Sequence, residues 1–436
     1  MLIENVAMLD EDLRYKEGQW IGIEDDVITY IGSEAPDDVS SYGRRYGGAG
    51  KLVLPALYNA HAHAPMTLLR GYAENLPLDR WLNEKCWPFE AKMTPEDNYW
   101  ATLLACAEMA RYGVIGFSDM YYATRERAQA VTESGLKANL CEGLLAFEDK
   151  PYSEYPISEL NEGLVRDLHG SGAGRIRIDY NIHAEYTSNP TVVADIVSIL
   201  KENGLRLHLH LSETRKEVEE CKERHDGMSP VEYFDSMGAF DVPCTAAHCV
   251  WLSERDMEIL EAKDVFIANN PVSNMKLGSG FAPIPEMIAR GMNVCVGSDG
   301  MASNNNHNLF SDLYVMGLIY KGHDLDPTAV EPVQMLKAAT IVGALSQGRD
   351  DCGALAVGLK ADLCVMDVTG PQWCPMTDPI YNVAYAGNGS DVVLTLCDGE
   401  VVYDASESPE GRWPGIDMER VQNEVSIRAK RIISEL

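Results

Sequence analysis

Eight short apolar runs with strand character fill the middle of this chain: "LVLPALYNAHAH", "VIGFSDM", "LKANLCEGLL", "RIRIDYNIH", "LRLHLHLSE", "TAAHC", "VFIANNP" and "MNVCVGSD". Helix-length stretches such as 95–111 and 191–203 separate most of them. Strand–helix alternation favours parallel pairing with helices laid over the strands, and eight such units favour a (β/α)8 barrel of the TIM type. The expected fold class is therefore α/β.

The two ends read differently. Residues 1–55 are short strands and turns, and residues 350–410 return to that style in "ADLCVMDV" and "DVVLTLCDGEVVYD", where Asp-Gly supplies a hairpin turn. Chain ends usually lie close together on a domain surface. The expectation is one small β-sandwich in two parts, 1–55 and 350–410, around a barrel over 56–349. Residues 411–436 carry Val421, Val425, Ile432 and Leu436 at helical spacing and should form a docked C-terminal helix.

In a strand, residues i and i+2 point to the same side. His61 and His63, ending the first apolar run, therefore aim two imidazoles at one point, which is half of a metal site. A single His on an apolar strand is usually a satisfied core residue. Here others reach the same rim: His183 ends the fourth strand, His210 and Glu213 the fifth, His248 the sixth and Asp299 the eighth. In a barrel of this kind the C-terminal strand ends carry the active site.

His210 and Asp299 complete a set of three imidazoles and one carboxylate, suited to zinc or a similar divalent ion with one position open for water. His208 shares the face of His210, so parity does not separate them. It lies roughly 6–7 Å deeper along the strand, which favours His210. Glu213 can reach over the ion or cap the following helix. His248 can act at the site or be a buried hydrogen-bonding residue, and Asp299 can be a ligand or a turn residue. His307 sits close enough to Asp299 for its role to stay open, whereas His169, His225 and His323 lie in polar stretches and read as solvated. The fourth strand ends without a lysine that could bridge a second ion, so one metal per chain is expected.

The chain's 436 residues hold 36 Lys and Arg against 67 Asp and Glu, a formal net charge of -31. That field repels phosphate backbones and anionic lipid, which argues against nucleic-acid and membrane-surface partners and serves solubility. No window approaches 18 consecutive apolar residues. Eleven cysteines, an odd number without a Cys-x-x-Cys pair, fit buried thiols in a reducing compartment. "MLIENVAMLDEDLRY" has no basic start followed by an apolar stretch. A cytoplasmic location is expected.

The stretches "NAHAH", "HLHLSET", "AAHCVWLSERD", "NPVSNMKLGSGFAPI", "GSDGMASNNN" and "GALAVGLKADL" together resemble the amidohydrolase superfamily over nearly the whole chain, and its adenosine-type deaminase branch in particular. That resemblance implies a small-molecule substrate, 5'-deoxyadenosine, 5'-methylthioadenosine, adenosine or S-adenosylhomocysteine, deaminated to its inosine analogue and ammonia. A free-base (guanine or cytosine) deaminase and a chlorohydrolase are the alternatives within the superfamily. It implies metal at His61, His63, His210 and Asp299, zinc first and iron second, and a homo-oligomer, a tetramer. It implies substrate contacts from Glu90, in "CWPFE", and from His183, with Glu213, His248 and Asp299 catalytic.

Relatives that process S-adenosylhomocysteine carry an arginine after the third strand that holds the amino-acid carboxylate. Glu142, in "LCEGLLAFEDK", stands where that arginine would be. If its carboxylate faces the substrate, neutral 5' groups are favoured, 5'-deoxyadenosine first. If it faces away, the pocket is permissive.

Overall fold

The computed structural model describes residues 1–406 and 411–436. The expected boundary at residue 410 therefore falls at the edge of 407–410, which lie outside the described residues.

Five strands open the chain: β1 (Leu2–Leu9), β2 (Tyr15–Glu24), β3 (Val27–Gly32), β4 (Arg45–Gly47) and β5 (Lys51–Pro55). Ten more follow: β6 (Leu57–His63), β7 (Val114–Tyr121), β8 (Lys137–Glu142), β9 (Ile176–Ile178), β10 (Tyr180–Ile182), β11 (Leu207–Leu211), β12 (Cys244–His248), β13 (Phe266–Asn269), β14 (Val294–Val296) and β15 (Asp299–Gly300). Near the C-terminus come β16 (Leu363–Asp367), β17 (Val392–Cys397) and β18 (Glu400–Asp404).

Strands from the two ends join in one eight-stranded sheet, ordered β18-β17-β16-β5-β1-β2-β3, with β4 also beside β1. Its pivot is the antiparallel pair β5–β16, Lys51↔Asp367 through Pro55↔Leu363. One face is apolar, with Ile3, Ile21, Val53, Leu363 and Leu396 packed together.

The middle strands form two parallel five-stranded arcs, β15-β6-β7-β8-β9 and β10-β11-β12-β13-β14. Three of the eight expected strands prove to be divided. The first breaks at Ala56: β5 belongs to the end sheet and β6 to the arc. Pro55, which has no N–H to donate to a ladder, stands at the break. The fourth divides at Asp179, whose buried side chain accepts from Asn139 Nδ2 at 2.9 Å. The eighth divides between Val296 and Asp299, so that β14 pairs with β13 while β15 pairs with β6. Small side chains from both arcs, Ala60, Ala247, Ala268 and Cys295, pack against one another in the interior.

Helices cover the outside. Pro95–Arg111 begins with Thr94 as N-cap, its side chain accepting from Asp97 N in a reciprocal capping box, and with proline in the first turn. The final helix is shorter than expected, Met418–Ser434, because Asp417 caps it only there. Val421, Val425 and Ile432 are buried as expected, but Leu436 lies beyond the helix and is 52% exposed. Asp97 fixes the docking by accepting from Arg428 at 3.0 Å and Arg431 at 2.5 Å. All eleven cysteines are free and only Cys374 is exposed. Among the described residues no helix is long and apolar enough to cross a membrane.

Candidate metal centre and active site

His61 and His63 close β6, both imidazoles buried and pointing the same way. His210 reaches the same point from β11 and Asp299 from β15. His210 Nε2 lies 3.3 Å from His63 Nε2. Asp299 Oδ1 lies 3.3 Å from His63 Nε2 and 3.4 Å from His61 Nε2. Ligand-type atoms of His61, His63 and His210, and of His61, His248 and Asp299, fall within 4.8 Å of one another.

The opposite ring nitrogens face outward, each with a partner. His63 Nδ1 donates to the Met120 carbonyl at 2.5 Å and His210 Nδ1 to the His183 carbonyl at 2.8 Å. His61 Nδ1 meets His208 Nε2 at 2.9 Å. Carbonyl acceptors fix the Nδ1–H tautomer, which leaves the Nε2 lone pair of His63 and His210 turned inward. His61 Nε2 is buried and finds no hydrogen-bond partner among the described residues. Leaving such an atom unpaired costs about 1–3 kcal/mol. An orphaned inward nitrogen beside two others and a carboxylate is what a divalent ion needs, so the donor set fits a metal.

Electrostatics agree. Burial pulls His61 down to about 4, and burial with the neighbouring imidazoles pulls His210 well below its usual value. Both rings are therefore neutral and ready to ligate near pH 7. Burial would lower His63 too, but Asp299 outweighs it and raises the ring. Burial would raise Asp299, yet His61 and His63 hold it well below the carboxylate range. Its Oδ2 accepts from Ser273 Oγ at 2.5 Å and Ser303 Oγ at 3.2 Å.

Three strand ends carry a left-handed backbone: Ser212 at φ +50°, His248 at +74° and Asp299 at +60°. Such conformations cost free energy in non-glycine residues and concentrate where a site must aim side chains. Cys244–His248 delivers His248, whose Nδ1 lies 2.9 Å from Asn274 Oδ1. Its Nε2 faces Glu213 Oε2 at 3.8 Å.

Glu213 is not the helix cap. Thr214 caps Arg215–Arg224 in a box with Glu217, whose carboxylate accepts from the amides of Ser212, Glu213 and Thr214. The Glu213 side chain is free for the cavity, where Oε1 accepts from Ser279 Oγ at 3.2 Å. Burial raises its pKa, as it raises that of Glu90. Glu90 accepts from Tyr121 OH at 2.8 Å. His183 lies just beyond β10, with Nδ1 3.0 Å from Thr187 Oγ1, and burial pulls it down to about 3.

A cavity of about 70 Å³ collects these groups: His63, Glu90, His183, Glu213, His248 and Asp299 all line it. Glu142 does not. Its two oxygens accept from Ala123 N at 3.0 Å and Thr124 N at 2.8 Å, at the start of helix Thr124–Ser134. The expectation that Glu142 meets the substrate is thus corrected: a carboxylate that satisfies orphan amides at a helix N-terminus is held there by hydrogen bonds and the helix dipole.

The roles missed in the sequence are supporting ones. His208 stands behind His61, Tyr121 behind Glu90, and Asn274, Ser273 and Ser279 behind His248, Asp299 and Glu213. The last three sit in or near "NPVSNMKLGS", a motif visible as a resemblance but silent on who touches whom. A second cluster of ligand-type atoms, Glu185, Cys221 and His225, is already compensated by Arg224, which donates to Glu185 at 3.0 and 2.5 Å.

Comparison with known proteins settles the family. Residues 52–402 match the amidohydrolase family. The chain belongs to it. This amidohydrolase is 39% identical over 436 residues to a 5-methylthioadenosine/S-adenosylhomocysteine deaminase of Thermoanaerobacter pseudethanolicus, covering 99% of each. It is 38% identical over 438 residues to a 5'-deoxyadenosine deaminase of Methanosarcina mazei, covering 100% of this chain and 99% of the relative. A crystal structure of an adenosine deaminase from Xanthomonas campestris with bound zinc superposes on it with a TM-score of 0.90 at 26% identity, covering 99% of this chain and 98% of the other.

Proposed function

We propose that this amidohydrolase is a metal-dependent aminohydrolase that converts 5'-substituted adenosines to their inosine analogues and ammonia. One observation carries the reading: three inward imidazole nitrogens and Asp299 converge on a point that the Glu213 carboxylate faces across one cavity. Its relatives' names supply the substrate class.

His61, His63, His210 and Asp299 would hold one divalent ion, zinc first and iron second. When bound, such an ion supplies Lewis-acid activation of water near neutral pH. The protein's own groups do the rest. Asp299, clamped by Ser273 and Ser303, takes a proton from the attacking water. His248, fixed at Nδ1 by Asn274, orients that water toward C6 of the purine. Burial raises the pKa of Glu213, which favours its acid form, so it can give a proton to the ring nitrogen beside C6 and then assist ammonia's departure. Glu90, positioned by Tyr121, accepts from ribose hydroxyls, and the neutral His183 completes the nucleoside contacts. A free-base deaminase or a chlorohydrolase would leave Glu90 without that ribose partner. The expected preference for 5'-deoxyadenosine rested on Glu142 facing the substrate, and the orientation of that carboxylate removes its basis.

The same reading takes the two arcs as one (β/α)8 barrel over 56–349. Its support is that the fourth and eighth strands each contribute to both arcs, and that Ala60 packs with Ala247, Ala268 and Cys295 across them. The end sheet would then be the accessory β-sandwich of 1–55 and 350–410, and 411–436 the docked terminal segment. The test is ammonia release from a panel of adenosine, 5'-deoxyadenosine, 5'-methylthioadenosine, guanine and cytosine by zinc-loaded protein. Turnover of the free bases with none of the nucleosides overturns the proposal.

A further inference from the structure

Outside the cavity lies a second, larger chamber of about 570 Å³. The two share Leu78, Leu82, Trp87, Tyr186 and Leu277 among their lining residues, so they adjoin. Ligand sites for small molecules usually occupy roughly 300–1,000 Å³. The inner cavity is smaller than that and the outer chamber lies within the range.

The outer chamber has an anchor built back to the candidate acid–base residue. Trp251 Nε1 donates to the Ser279 carbonyl at 2.7 Å, and Ser279 Oγ donates to Glu213 Oε1. The Arg215 guanidinium lies over the Trp251 ring, 5.6 Å from its centroid. Among the described residues Arg215 pairs only with Glu219, at 3.0 Å, and both side chains are well exposed. An exposed pair of this kind holds weakly. A ligand carboxylate can therefore exchange with Glu219 for the bidentate face of a guanidinium already oriented by stacking. Lys216 adds a second cation, while Asp79 and Glu220 supply negative charge to the same walls. Mixed charge suits a zwitterionic amino-acid end and repels a dianionic phosphate. The one cation in the loop after β8, Lys150, pairs with Glu148 at 2.8 Å and does not line the chamber.

We propose that Arg215, stacked on Trp251, is a specificity-determining residue that holds the carboxylate of a long 5' substituent ending in an α-amino acid, as in S-adenosylhomocysteine. This rests on the deaminase reading of the inner cavity. The role thereby moves from the loop after the third barrel strand to the first turn of the helix after the fifth.

The experiment is kcat/KM for S-adenosylhomocysteine and 5'-methylthioadenosine in wild-type holoenzyme, Arg215→Ala and Arg215→Lys. Both substitutions should lower the ratio of the two substrates, Ala by about tenfold and Lys by less, through KM rather than kcat. A ratio unchanged in Arg215→Ala, or a wild type that accepts 5'-methylthioadenosine and ignores S-adenosylhomocysteine, overturns the inference alone. Absence of turnover with either substrate in metal-loaded wild type overturns the deaminase reading beneath it.

Discussion

His61 Nδ1 and His208 Nε2 lie 2.9 Å apart, so these two histidines act in series, one turned to the centre and one behind it. A partner of this kind fixes ring orientation, and its loss typically costs 10–100-fold in metal affinity. His208→Ala should therefore retain the four-donor set and bind zinc about 10–100-fold more weakly. His61→Ala should lose the ion outright. Chelator competition measures both, and wild-type affinity in His208→Ala would show that His61 needs no support.

Removing the proposed acid–base group should separate chemistry from binding. Glu213→Gln is expected to keep the metal and bind nucleoside, with kcat lowered about 10²–10⁴-fold. Steady-state ammonia release alongside elemental analysis decides the matter. Turnover near the wild-type rate would leave Glu213 without a catalytic part.

Glu213 also leaves a mark on stability. Burial, with the Glu213 charge beside it, raises Glu217 to about 7 from a usual 4.5. Between those values the folded chain binds more protons than the unfolded one, so this group's contribution to stability falls as pH rises. Taking away the Glu213 charge lowers the Glu217 pKa. Glu213→Gln should thus gain Tm relative to wild type, by an amount that grows from pH 5 to pH 8. A pH-independent difference would mean that the two carboxylates are not coupled.

The histidine pair was legible because a strand has period two: spacing alone put His61 and His63 on one face. The same rule could not divide His208 from His210, which share a face, and only depth along β11 separated the candidate ligand from its candidate support. The strand breaks at Ala56, Asp179 and after Val296 were hidden because the apolar runs continue across them. What divides them is a change of pairing partner, a tertiary event. Glu142 was misplaced for a related reason. Strand parity tells which way a carboxylate leaves the backbone, but the amides that capture it belong to a helix whose start, after Ala123 in left-handed conformation, no local pattern announces.

Arg127 carries much of the scaffold beneath the site. It is fully buried, pairs with Asp119 at 2.6 Å and donates to the carbonyls of Tyr121, Tyr122 and Cys141. Asp119 in turn accepts from Ala64 N, the residue after His63. Breaking a buried pair by removing one partner costs about 3–5 kcal/mol because the other charge stays buried. Arg127→Ala should lose that much in denaturant unfolding. A loss below about 1 kcal/mol would mean that water replaces the guanidinium.

Glu142 provides the clearest separation of a structural carboxylate from a functional one. Its oxygens cap Ala123 and Thr124 rather than facing the cavity. Glu142→Gln keeps one acceptor and loses the charge that favours a helix N-terminus, so stability should fall by about 1 kcal/mol. The ratio of kcat/KM between 5'-deoxyadenosine and S-adenosylhomocysteine should stay within about twofold, since no substrate contact is removed. Glu142→Arg places a cation at the positive end of the helix and in a buried position, and should unfold at lower denaturant than Glu142→Gln. Urea unfolding and the two kcat/KM values are enough to decide. A large change in the substrate ratio with stability intact would return Glu142 to the substrate pocket and remove the helix-cap account.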